Sequence, residues 1–290
     1  MFSQKTKILN NYLKYYSSIS PGTKWWLCKS DYSKIGTSIT SIIEKISKGQ
    51  DLPNVEVLKK NRNKIVFRYT TPDECLPSII VKVFYIDTFI RRLKYHKYGL
   101  DEAVNLLIAR DKGVNTPEVY GYGKICDILG MEKISIILLE DLMGFSTIGK
   151  LFEISNENQW NKIFYKTESL FVDLYNAGCN HIDVNLGSVM MSDNAANDEV
   201  FLLDFQHARF YDVPSLEVLM FETGYFAKGC SNWIPKEIVD LWLENILKKV
   251  GIDAIDQKRK LKERSEYYFQ ATDAYREGGR LSRKHRKKIC

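Results

Sequence analysis

The stretch Asn180–Phe210, NHIDVNLGSVMMSDNAANDEVFLLDFQHARF, constrains this chain most. Two short apolar runs, Val189–Met191 and Val200–Leu203, flank a turn-rich segment, Ser192–Asn197. Runs this short, bounded by Ser, Asp and Asn, read as two paired strands joined by a tight turn. Such a pair returns the chain to where it started. The residues before the first run therefore come close to those after the second, and with them two carboxylates, Asp183 and Asp204. A lone loop Asp is ordinarily a turn residue that bonds its own backbone. Two of them converging at the ends of one strand pair make a site that can accept a proton and hold a cation.

Upstream, Val55–Leu58 and Lys64–Tyr69 read as strands joined by an Asn61-Arg62-Asn63 hairpin turn, and Pro72–Pro77 as another turn. Ser78–Tyr85 is a third strand with Lys82 inside it. A lysine among buried β-branched residues is costly unless it has a partner. Glu102 is the candidate, opening a helix over Glu102–Arg110 that turns Val104, Leu107 and Ile108 inward and ends at Gly113, before Pro117. Ile134–Leu139 is a further strand, followed by Glu140-Asp141-Leu142. Gln159–Ala177 reads as one long amphipathic helix stopped by Gly178, and it delivers the chain into the His181-Ile182-Asp183 turn. Beyond Phe210 the pattern is helical over Leu216–Phe221, Lys236–Val250 and from Asp256 to about Tyr275.

Residues 1–54 carry helix-like spacing over Ile8–Tyr16 and Ser38–Ile46, separated by Ser20-Pro21-Gly22, with Trp25 and Trp26 expected to pack on the body. They read as an N-terminal extension. The expected organisation is thus an extension (1–54), a small lobe (55–140), a larger lobe (141–279) and a basic tail (280–290).

The chain has 42 Lys and Arg against 36 Asp and Glu. Six of the basic residues lie in the last eleven positions, which contain no acid, so the rest of the chain is balanced. A neutral body argues against a nucleic-acid-binding protein, whereas the tail suits an anionic membrane surface. The six cysteines are dispersed, without C-x-x-C or a Cys/His cluster, which argues against structural zinc and for a reducing compartment. No apolar run has the length of a membrane span, and the start does not resemble a secretion signal.

The pattern H-x-D-x-x-x-x-[N/S], then an apolar strand, then L-L-D-F resembles the catalytic and metal-binding loops of the protein-kinase-like fold. Over about Val55–Tyr275 the chain resembles the lipopolysaccharide-kinase branch of that superfamily, the Kdo/heptose kinases. Four blocks carry the resemblance: I-I-V-K-V-F around Lys82, Glu102–Pro117 ending G-V-N-T-P, L-Y-N-A-G-C-N-H-I-D-V-N over Leu174–Asn185, and L-L-D-F-Q-H-A-R over Leu202–Arg209. Departures from the kinase pattern are a loop without glycine at Lys59–Lys64, Ser188 in place of a second metal-binding Asn, Gln206 in place of the Gly of D-F-G, and no A-P-E block.

The resemblance implies an α+β, bilobal, protein-kinase-like fold: a small antiparallel-sheet lobe with one helix, and a larger, mainly helical lobe. It implies an ATP-dependent kinase using Mg2+ to phosphorylate a sugar hydroxyl, in the lipopolysaccharide inner core. Asp183 would orient or deprotonate the acceptor hydroxyl, and Asp204 would hold magnesium, with Ser188 or Asn185 completing its shell. Lys82, fixed by Glu102, would neutralise phosphate charge, and the backbone of about Glu140–Leu142 would meet the adenine edge. The acceptor would be a lipid-linked glycan, and the protein cytoplasmic, peripheral on the inner face of the cytoplasmic membrane through its basic tail. The rival readings are a nucleotide-binding pseudokinase and a kinase of another small-molecule or protein acceptor.

Overall fold

The computed structural model describes residues 4–17, 22–29, 32–72, 77–86, 98–194, 197–271, 273 and 276–281. The tail beyond Leu281, most of the Pro72–Pro77 turn, the Ser20-Pro21 pair, residues 195–196 and the expected helix end at Tyr275 lie outside them. The chain divides into two compact units, Met1–Leu107 with Pro117–Leu142, and Ile108–Thr116 with Met143–Cys290.

Among the described residues, the first unit is built on a seven-stranded antiparallel sheet. Its strands are β1 (Lys14–Ser17), β2 (Thr23–Leu27), β3 (Val55–Lys60), β4 (Lys64–Tyr69), β5 (Ile79–Tyr85), β6 (Val119–Cys126) and β7 (Glu132–Glu140), in the order β1-β2-β6-β7-β5-β4-β3. Strand alternation divides the central strands into two faces. One face carries Ile65, Phe67, Ile79, Val81, Val83, Ile136 and Leu138, all buried with the isoleucines of α2 (Tyr32–Ser47). Ile35, Ile39, Ile42, Ile43 and Ile46 recur at helical spacing, so α2 covers that face with one stripe. Each such side chain removed from water contributes about 1.5–3 kcal/mol. Lys82 belongs to the alternate positions, in register with Val66 on one side and Ile137 on the other.

The structure departs from three expectations. Residues 1–54 are not an appendage: they supply β1, β2 and α2 to the sheet and its core. The sheet is antiparallel as expected but has seven strands, beyond the four read from sequence. Ile8–Tyr16 is also not one helix. Helix α1 (Gln4–Tyr12) stops, and Tyr15 and Tyr16 pair with Trp26 and Trp25 across β1–β2. Aromatic cross-strand pairing overrides the local helical spacing.

Helix α3 runs over Tyr98–Asp111, so Glu102 lies one turn inside it instead of opening it. Val104 is buried with Leu106 and Ala109, while Leu107 and Ile108 are half-buried. Gly113, at φ 85°, terminates the helix, with the Val114 N–H bonded to the Ala109 carbonyl at 2.9 Å.

The second unit is mainly helical: α4 (Ile148–Ile154), α5 (Glu157–Lys166), α6 (Glu168–Asn176), α7 (Leu216–Cys230), α8 (Lys236–Lys249) and α9 (Ile255–Gln270). The expected single helix Gln159–Ala177 is divided at Thr167 into α5 and α6. The buried Thr167 hydroxyl donates to the Phe164 carbonyl at 2.7 Å and accepts from Trp242 Nε1 at 3.2 Å. An aromatic core of Phe164, Phe171, Phe226 and Trp242 ties α5, α6, α7 and α8 together. Helix α7 runs well past the expected end at Phe221, to Cys230. Among the described residues no helix is long and apolar enough to cross a membrane.

Candidate active site

The second unit carries the turn that holds Asp183. Helix α6 ends at Gly178, whose φ of 62° suits glycine, and a Cβ there would lie 2.3 Å from the Tyr211 carbonyl oxygen. The chain then enters β9 (Cys179–Asn180), which pairs with β12 (Arg209–Phe210). After the turn, β10 (Val189–Ser192) pairs with β11 (Val200–Leu202), with Val189 opposite Leu202. Strand β8 (Phe145–Thr147) pairs with the other side of β10. Residues 181–188 and 203–208 are thus clamped between two strand pairs. Further bonds join them directly: the Leu203 N–H donates to the Ser188 carbonyl at 2.8 Å, and His181 Nε2 donates to the Leu203 carbonyl at 2.8 Å. The strand–turn–strand reading of this stretch corresponds to what is observed, and the segments bearing Asp183 and Asp204 are brought together.

His181 is fully buried, its ring edge-on to Phe205 at 4.7 Å. Burial lowers its pKa to about 4, so it stays neutral and acts as a fixed hydrogen-bond donor. Asp183 is half-buried. Among the described residues, two hydrogen bonds reach its carboxylate, both on Oδ1: from Asn185 Nδ2 at 2.9 Å and from the Tyr225 hydroxyl at 3.1 Å. That geometry orients the carboxylate and keeps Oδ2 for another donor. Asp204 is also half-buried and sits in the left-handed region at φ 60°, ψ 50°, a conformation Asp tolerates.

Ser188 is only 2% exposed. Its hydroxyl accepts the Asn185 N–H at 2.8 Å and faces the Asn185 and Asp183 carbonyls at 3.0 and 3.2 Å. The Asn185 side-chain oxygen accepts the N–H groups of Gly187 and Ser188 at 2.9 and 3.2 Å. Both residues expected to complete a metal shell are occupied in shaping the turn. Among the described residues there is no group of three His, Cys, Asp or Glu that could hold a metal. The donor set fits a magnesium ion taken by one carboxylate together with substrate phosphates, the usual arrangement for that ion.

Three features of this turn escaped the sequence reading. Ile182 adopts φ 75°, which for a β-branched residue costs on the order of 1–3 kcal/mol. Glu222, on α7, is 1% exposed and accepts the Ile182 N–H at 2.8 Å. Burial raises its pKa to about 8. Tyr225, one turn further along α7, reaches Asp183 as described. The available signal was a single acid in the apolar run L-M-F-E-T-G-Y-F, with Tyr three residues on and so on the same helix face.

In the first unit, Lys82 Nζ lies 2.6 Å from Glu102 Oε1, with side-chain exposures of 9% and 0%. The Lys82–Glu102 pairing expected from sequence is therefore formed. Glu140 ends β7, where its N–H donates to the Glu118 carbonyl at 2.9 Å and its carboxylate accepts the Glu118 N–H at 3.0 Å. Asp141, whose side chain is 4% exposed, accepts from Arg68 Nε and Ser78 Oγ, each at 2.7 Å. The residues after β7 are thus pinned to β4 and to the start of β5. Leu142, next along, is half-buried.

No family model matches the chain, and no curated protein matches it. Among solved structures, the chain is similar to "WaaP in complex with acyl carrier protein", with a TM-score of 0.51 and 12% identity over 79% of this chain and 97% of that one. At that identity the likeness is one of fold. An antiparallel-sheet unit followed by a mainly helical unit, sharing that likeness, is a kinase-like fold.

Proposed function

We propose that the protein is an ATP-dependent phosphotransferase acting on a hydroxyl group, and that the hydroxyl belongs to a sugar of the lipopolysaccharide inner core. The buried Lys82–Glu102 pair carries the reading. A buried ion pair is weak as a stabiliser, because desolvation offsets its Coulomb gain. Its presence at a central strand is better understood as a cation held ready for an anionic ligand. Bound Mg-ATP would supply the phosphoryl group and the neutralising cation.

Lys82 Nζ, oriented by Glu102, would donate to phosphate oxygens. Asp204 would hold the cation. Asp183 would accept the acceptor hydroxyl proton on Oδ2 as the new O–P bond forms and the bond to the departing ADP breaks. Tyr225 and Asn185 would keep that carboxylate in position, which is the larger share of catalysis in such a reaction. The backbone of Glu140–Leu142 would meet the adenine. Ser188, expected as a metal ligand, is better read as a brace of the turn. The sugar assignment rests on the four motif blocks, with the fold likeness in support. The acceptor in this reading is a lipid-linked glycan at the inner face of the cytoplasmic membrane, with the basic tail against anionic headgroups.

The commitment of Ser188 to the turn favours one rival, a pseudokinase that binds nucleotide without transferring phosphate. Magnesium-dependent ADP release separates the two. The kinase reading expects release that depends on a core-oligosaccharide acceptor and falls at least about 100-fold in Asp183→Asn. Nucleotide binding without turnover on any sugar acceptor favours the rival. Absence of nucleotide binding overturns both.

A further inference from the structure

The turn joining β6 to β7 presents two aliphatic side chains wholly to solvent. Ile128 is 102% exposed and Leu129 79%. The turn that carries them is tightly bonded within itself. The Asp127 carboxylate accepts the N–H groups of Leu129 and Met131, each at 2.9 Å. The Gly130 N–H bonds the Asp127 carbonyl at 2.9 Å, the Asp127 N–H bonds the Met131 carbonyl at 2.8 Å, and Gly130 takes φ 74° to close the loop. The N–H groups of Asp127, Leu129, Gly130 and Met131 are therefore satisfied within the turn. Each N–H closed within the turn lowers the cost of moving the segment out of water.

The strands that carry the tip and their neighbour hold three lysines. Lys24 and Lys124 are directly cross-strand partners on β2 and β6, which places both on one face, and Lys133 stands at the start of β7. None of the three forms an ion pair among the described residues; Lys124 lies over the Trp26 ring at 5.7 Å. Two acids stand with them: the Asp127 carboxylate is turned onto its own backbone, and burial raises the Glu132 pKa to about 7. An exposed aliphatic pair with lysines on the adjoining strands and most of its N–H groups closed within the turn is complementary to a surface that is anionic outside and hydrocarbon within.

We propose that the β6–β7 tip is a membrane-docking element, in which Ile128 and Leu129 enter the headgroup–acyl boundary of an anionic bilayer while Lys24, Lys124 and Lys133 meet its phosphates. The proposal does not involve the basic tail and is independent of the phosphotransfer reading.

The test is co-sedimentation of the full chain, without nucleotide, with phosphatidylcholine vesicles and with vesicles containing about 30% phosphatidylglycerol. The wild type is expected to bind the anionic vesicles, more weakly as salt rises. Ile128→Ser/Leu129→Ser is expected to lower the partition coefficient about 100-fold. Lys124→Gln/Lys133→Gln should lower it about fivefold per lysine and weaken its salt dependence. The serine variant should keep the wild-type melting temperature, since Ile128 and Leu129 face solvent. The proposal is overturned if the wild type ignores anionic vesicles, or if the serine variant binds them as well as the wild type does. It is equally overturned if the wild type is a dimer that the serine variant dissociates, because a second copy then occupies the tip.

Discussion

Glu222→Gln should remove a pH dependence of stability that the wild type carries in this buried acid. In the folded protein Glu222 has its pKa raised by burial from 4.5 to about 8. A group bound more tightly to its proton when folded stabilises fully below its unfolded pKa, and that contribution is lost as pH rises through the folded pKa. The loss therefore begins near pH 4.5 and is complete just above pH 8. Three and a half units correspond to about 5 kcal/mol in total, of which about 3 kcal/mol falls between pH 5.5 and 8. Glutamine keeps a carbonyl oxygen for the Ile182 N–H, so the turn retains its brace while the titration disappears. The assay is urea unfolding of both proteins at pH 5.5, 7 and 8, followed by circular dichroism and by tryptophan fluorescence. Taking the difference between variant and wild type cancels other titrating groups, Glu132 among them. The variant should gain on the wild type by about 2–3 kcal/mol over that interval. A constant difference across pH would refute the reasoning, because it would mean that Glu222 is ionised throughout and held so by the N–H groups facing it.

Three further perturbations follow from named contacts. Lys82→Met strands the Glu102 carboxylate in a buried setting and should cost about 3–5 kcal/mol, most of it recovered in Lys82→Met/Glu102→Leu; thermal melts in which the double variant is no more stable than the single would contradict this. Gly178→Ala places a Cβ against the Tyr211 carbonyl at a left-handed position, and a loss of less than about 1 kcal/mol in urea unfolding would argue against that geometry. Tyr225→Phe removes one donor from Asp183, and under the phosphotransfer reading should lower kcat about tenfold with little change in the KM for ATP; an unchanged kcat would remove Tyr225 from the positioning of Asp183.

The parts of the fold that were legible are those whose cause is local. Lys82 declared itself because a charge inside I-I-V-K-V-F needs a partner, and a helix with a suitably placed Glu was the nearest source. Gly113 and Gly178 marked helix ends because left-handed positions select glycine. What stayed hidden was decided by neighbours distant in sequence. Strand β6 reads V-Y-G-Y-G-K-I-C, and two glycines weaken any strand reading. They are there because Leu27 lies over Gly121 and Trp25 over Gly123, where an added Cβ would come within 2.6 and 2.5 Å. The break at Thr167 likewise depends on Trp242, some 75 positions away. The resemblance implies a metal-binding role for Ser188, yet nothing in the sequence says that its hydroxyl turns inward to the loop.

The same division explains how a residue as ill-suited as Ile182 occupies φ 75° at the centre of the turn. A strained conformation persists only where its surroundings over-determine it. Here the flanking strands β9 and β10 fix both ends, the Glu222 carboxyl takes the N–H of Ile182, and the chain at Gly278 closes the side. An added Cβ at Gly278 would meet Phe221 at 2.6 Å and the Ile182 side chain at 3.0 Å, and its carbonyl accepts from Asn180 Nδ2 at 3.4 Å. The next residue, Asp183, is therefore aimed by elements drawn from α7 and from the chain near the C-terminus, none of which bears a recognisable motif. A short motif can name the carboxylate, but the energy that holds it in place is distributed over positions chosen for fit. Substitutions that remove the acceptor at Glu222, or that add a side chain at Gly278, should accordingly disturb the turn as much as substitutions within it.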